Sequence, residues 1–196
     1  MRYQPVAARA GWLALLLLTS LPLAAETPPP AVALSWPERS YRWFYNPEGE
    51  PEWVAAAGGA LWVRQQVESW SPCGFRLEYG GLTTLAVAEM DGANVVGWRD
   101  DGKDYSGWTR WRAYRDGRAI EADVVLYRNI FERYRQQGID ALLELKKTLI
   151  HEVGHVLGLT HSTVPGDAMT VKLRTRPEWV LPSANDLARC RARYPG

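Results

Sequence analysis

Apolar side chains recur three or four positions apart at Leu142, Leu145, Leu149, Val153 and Val156, the period of an amphipathic helix, and predict one over residues 140–157. A second stripe of the same period, Trp53, Ala56, Ala60, Val63, Val67 and Trp70, predicts a helix lying on a sheet, weakened at Gly58 and Gly59. Elsewhere the period drops to two. Over residues 120–127, Ile120, Ala122, Val124 and Leu126 alternate with Glu121 and Asp123, as a strand with one buried face requires. The aromatic run 41–45, closed by Asn46-Pro47 and Gly49, predicts a first strand, and residues 75–79, 95–98 and 107–114 add three more between Gly/Asp turns. Strands flanked by helices before and after read as an α+β fold.

The N-terminus follows a different pattern. Arg2 and Arg9 accompany an almost wholly apolar run over 11–18, and Leu23-Ala24-Ala25 offers a small-residue cleavage site, so residues 1–25 read as a secretory signal peptide. The run is shorter than the roughly 20 residues that cross a bilayer, and no other stretch is long enough, so no membrane insertion is expected to outlast cleavage. Export makes the protein secreted or periplasmic. Residues 26–39, with Pro28-Pro29-Pro30 and Pro37, read as an extended Pro-rich leader that packs loosely or not at all. Residues 40–196 then form one domain, expected to be a monomer. The formal charge of +1 falls to −1 once Arg2 and Arg9 are removed. That leaves no basic excess for nucleic acid or anionic lipid.

All 3 histidines of the chain fall between residues 151 and 161. On a helix, residues four apart project from nearly one face, so His151 and His155 can grip one ion. Glu152 sits beside that pair, where it can reach a metal-bound water as a general base without ligating the metal. His161 lies at the wrong angle and height for the same straight helix. Gly158, free to take a left-handed turn, supplies the break that brings it back. Three imidazoles and one open position suit catalytic zinc, whereas closed structural sites carry four protein ligands and calcium or magnesium prefers oxygen. Adding a glycine and a third histidine at fixed spacing to a bare HExxH leaves about one chance match in 700 at average composition.

At this motif the chain resembles the metzincin metallopeptidases, and among them the matrixins, whose zinc sequence HExGHxLGLxHS is matched by residues 151–162. Met169, in Asp167-Ala168-Met169-Thr170, stands where the resemblance places a methionine turn beneath the metal. Residues 92–98 and 120–126 look like strands of bacterial matrixin-like peptidases, and residues 181–194 like the family's last helix with its closing tyrosine. The likeness covers most of residues 40–196. It implies a twisted, mixed five-stranded sheet with three helices, and a cleft whose edge strand, roughly residues 107–114, pairs with an extended protein or peptide substrate. Trp108 and Trp111 would line that cleft or pack elsewhere. Residues 171–181 would form the pocket wall beside the zinc.

The implied activity is that of an exported zinc endopeptidase. His151, His155 and His161 hold the ion, Glu152 activates water, and Gly158 and Met169 give structural support. The alternative is a non-catalytic, zinc-stabilised peptide-binding module. After export, Cys73 and Cys190 are expected to form one disulfide; the other reading makes Cys73 a latency thiolate on the zinc. A second, histidine-built zinc site like that of animal matrixins has no histidines left to build it. Asp91, Asp100, Asp101 and Asp104, among glycines, are the candidates for a Ca2+ site.

Overall fold

The computed structural model describes residues 34–171 and 181–195. The expected signal peptide, and most of the expected pocket wall, lie outside them. Strands β1 (Ser40–Tyr45), β2 (Arg76–Leu82), β3 (Val95–Arg99), β4 (Gly107–Ala113) and β5 (Ala119–Tyr127) form one five-stranded sheet in the order β2-β1-β3-β5-β4. β1 is parallel to β2 and β3, and β3 to β5; β4 alone runs antiparallel, on β5, and makes an edge of the sheet. The architecture is mixed α+β, as expected.

One face of the sheet carries the core. Tyr41, Trp43, Tyr45, Val96, Ala122, Val124 and Leu126 are fully buried there, and the helices close over them. The opposite face departs from the alternating pattern. Glu121 and Asp123, read as the solvent-facing positions of β5, are 0% and 1% exposed, because the connection between β2 and β3 folds over them. The Asp123 carboxylate accepts the backbone N–H of Ala88 at 2.6 Å and of Val95 at 2.7 Å, and Glu121 accepts that of Gly92 at 2.8 Å. Arg110 donates to the Ala88 carbonyl at 2.5 Å. The bonds at its N–H and carbonyl hold Ala88 at φ 70°, a region non-glycine residues avoid, and Met90 two residues on takes φ 57°. Burial, against the two backbone donors and with Glu121 and Asp91 nearby, raises the Asp123 pKa to about 6.

The described residues form five α-helices. Where one helix is expected over 53–70 there are two, α1 (Glu52–Ala56) and α2 (Ala60–Glu68), because Gly58 and Gly59 take φ 119° and 52°. α3 (Arg128–Gln136) has no stripe long enough to predict it from sequence: it is rich in charge and buries only Ile130, Phe131 and Tyr134. α4 (Ala141–Val156) has the expected limits, with Asp140 capping it by accepting the Leu143 N–H at 3.0 Å. Leu145, Leu149, Val153 and Val156 are all fully buried. α5 (Ala184–Arg193) begins with a capping box between Ser183 and Asp186. None of these helices is long and apolar enough to cross a membrane.

Cys190 of α5 is joined by a disulfide to Cys73 in the short 3-10 turn Ser71–Cys73, with Cα atoms 5.8 Å apart. The thiol is therefore engaged, and the latency reading of Cys73 falls. The leader also differs where it can be described. Leu34 and Trp36 are buried, Ser35 bridges Arg118, and the Trp36 indole donates to the Val156 carbonyl at 2.7 Å. From residue 34 onward the segment is docked against the end of the helix that carries the histidines.

Candidate metal centre

α4 points His151 and His155 toward the same space, their ring centroids 4.7 Å apart. The helix stops at Leu157, and Gly158 at φ +76° turns the chain so that His161 stacks beside His151 at 5.3 Å. A side chain at 158 would fail twice: in conformation, and because its Cβ would lie 2.1 Å from the Leu34 carbonyl oxygen. Among the described residues this triad is the one group of three or more His, Cys, Asp or Glu that could share an ion, its donor atoms all within 4.8 Å of one another.

The hydrogen bonds decide which nitrogens face inward. His151 Nδ1 lies 2.7 Å from the Ala168 carbonyl oxygen and His155 Nδ1 lies 2.8 Å from that of Leu159. A carbonyl only accepts, so both Nδ1 atoms carry the proton and both Nε2 atoms present lone pairs. Those two acceptors stand 3.1 Å apart. Neither can satisfy the other, but a shared cation satisfies both: two bonds of ~2.05 Å at a tetrahedral angle span roughly 3.3 Å. Burial, with His155 and His161 adding to it, pushes the His151 pKa down to about 3, which keeps its imidazole neutral and available. The chain's donors fit zinc.

Behind the triad the support is continuous. Met169 is fully buried, and a Cβ on Gly154 would meet its sulfur at 2.1 Å and the Trp70 ring at 2.9 Å, so Gly154 leaves the notch that both fill. The Met169 carbonyl accepts the Ser162 N–H at 2.7 Å, tying the residue after His161 to this turn. Ala168, whose carbonyl holds His151, is itself held by Asp186, which accepts its N–H at 2.6 Å. Asp167 accepts from Ser162 at 2.5 Å, Ser183 at 2.6 Å and Asn185 at 2.6 Å. The start of α5 thus clamps the methionine turn. Only the Ser183-x-x-Asp186 capping signature hints at this in the sequence.

Glu152 follows His151 on the helix and is 7% exposed. Thr109 of the edge strand donates to its Oε2 at 2.7 Å. The structure thus brings His151, His155, His161, Glu152, Gly158 and Met169 together, while the acidic loop set lies apart. Asp100 pairs with Arg128 and Asp101 with Arg99, and no three of Asp91, Asp100, Asp101 and Asp104 gather as a metal-holding group. Trp111 packs against the core, whereas Trp108 is 46% exposed at the edge.

The family model described as Matrixin matches residues 83–194, more than half of the chain and all of this centre. The chain belongs to the matrixins. This matrixin is accordingly a zinc-dependent peptidase, with proteins or peptides as the substrates its family implies. No curated protein matches it. Two solved structures are distantly similar: the GM1-bound form of the ECX AB5 holotoxin, 16% identical, covers 68% of this chain and 69% of its own at a TM-score of 0.49. A zinc-dependent peptidase from Methanocorpusculum labreanum, 14% identical, covers 78% of the matrixin and 98% of its own chain at a TM-score of 0.37.

Proposed function

We propose that this matrixin is an exported endopeptidase in which His151, His155 and His161 hold the zinc and Glu152 is the general base. The observation that carries this is the convergence of three imidazoles whose donor atoms lie within 4.8 Å of one another, with the Nε2 atoms of His151 and His155 turned to the shared space. A purely structural site would close with a fourth protein ligand. When bound, zinc supplies a Lewis acid that polarises the scissile carbonyl and acidifies water. Glu152 takes the proton of the attacking water and returns it to the departing amine nitrogen. The β4 edge supports the endopeptidase reading, because strand addition engages repeating backbone groups and needs no chain terminus. The basic and apolar N-terminus with its Leu23-Ala24-Ala25 site supports export.

The test compares the mature form with Glu152→Ala on a mixed peptide library, with zinc content measured on both. We expect equal zinc and a rate lower by roughly 10²–10⁴-fold in the variant, the usual worth of a general base. Cuts within peptides rather than at their ends would support the endopeptidase reading. Cleavage by both forms, or by neither with zinc in place, would overturn the mechanism.

A further inference from the structure

Thr109 stands where the edge strand β4 meets α4, and it is 7% exposed. Its hydroxyl oxygen lies 2.7 Å from Glu152 Oε2 and 2.9 Å from the Glu152 backbone oxygen. A hydroxyl carries one hydrogen, and a carboxylate is the stronger acceptor, so the hydrogen goes to Oε2. The approach is built into the sequence on both sides. Gly107, two residues earlier on the same face, has no Cβ to collide with the Thr148 methyl at 2.5 Å or with Glu152 Cγ at 3.2 Å. Ser106 and Thr148 share a further hydroxyl bond at 2.7 Å, one helical turn before Glu152. Two hydroxyl contacts, with a glycine between them, thus fasten the strand edge to the face of α4 that carries Glu152.

We propose that Thr109 is a positioning residue: its hydroxyl fixes the Glu152 carboxylate for proton transfer, and it ties that carboxylate to the strand a substrate joins. Thr109 directs its side chain toward α4, while its neighbours Trp108 and Arg110 point to the opposite face of the sheet. Its backbone at the edge and its hydroxyl at the base are two surfaces of one residue. A peptide adding to β4 therefore stiffens the same segment that holds the base. This rests on Glu152 being the base, as proposed above.

The experiment uses the zinc-loaded mature protein as parent, Thr109→Val and Thr109→Ser, with Thr109→Ala if valine is not accommodated. In Thr109→Val we expect zinc content and KM within two-fold of the parent, and kcat lower by at least ten-fold. Thr109→Ser, which keeps the hydroxyl, should recover most of kcat. A crystal structure of Thr109→Val should show the Glu152 carboxylate turned away from β4. Acetohydroxamate, which binds zinc and hydrogen-bonds the base, should bind it at least ten-fold more weakly than it binds the parent. A kcat within two-fold of the parent, a serine variant no better than valine, or an unmoved carboxylate with unchanged acetohydroxamate affinity would overturn the inference. If the parent and Glu152→Ala both fail to cleave, the peptidase mechanism falls. The carboxylate position and the acetohydroxamate affinity then still decide the role of Thr109.

Discussion

Gly158 meets two demands, a positive φ and a carbonyl oxygen where its Cβ would be. We expect Gly158→Ala to lose about 1–3 kcal/mol in urea unfolding, the usual cost of such backbone strain, with weaker zinc retention because His161 shifts with the turn. The need for this glycine is legible in the motif. The need for Gly154 is not, because it depends on Met169 and Trp70, one 15 positions after it in the chain and the other 84 before it. Asp123 shows the converse, a residue whose pattern misleads. Its pKa of about 6 lies above the roughly 3.9 of an unfolded aspartate, so the folded state holds the proton more tightly. Its contribution to stability is then fully present below about pH 4 and is lost as pH rises through 6. The stability of the parent relative to Asp123→Asn should therefore fall between pH 4 and 7. Parallel curves from denaturant titrations across that range would refute it.

At the scale of elements, α4 was legible almost to the residue, since its stripe is long, its cap is an aspartate and its end is a glycine. α3 was not. Nine residues, four of them charged and three buried, give too short a period to stand out from a loop. The second helix was legible as a stripe but not as a break, because two glycines only weaken a helix until their actual φ values are known. α5 has a role its sequence understates. Through Asp186 it holds Ala168, and through Ala168 it holds His151. Asp186→Ala should cost about 1.5–3 kcal/mol, as charged hydrogen bonds do. Ser183→Ala, which loses the cap and one of the three side-chain bonds to Asp167 but leaves Asp186 on Ala168, should cost about 1–2 kcal/mol. Chelator competition should show weaker zinc binding in the first variant and little change in the second.

For the molecule as a whole, local periodicity could supply five strands but not their order. Which strand is an edge is set by contacts far apart in sequence, and that expectation came from the resemblance rather than from the pattern. The docking of residues 34–36 was equally hidden, since Trp36 is stabilised by Val156 and Tyr194 at the other end of the domain. The Cys73–Cys190 bridge spans 117 residues and anchors α5 to the turn that leads into β2. Replacing both cysteines by alanine should lower stability by roughly 2–5 kcal/mol, the range for loss of a native disulfide. The melting temperature should then become insensitive to reductant. Met169 gives the closed centre a chemical clock. Its sulfur is fully buried beneath Gly154, whereas Met90 lies partly open in the loop over the sheet. An oxidant in solution converts accessible thioethers to sulfoxides, so Met90 records how much oxidant the protein has met. Sulfoxide at Met169 records how often the histidine turn has opened.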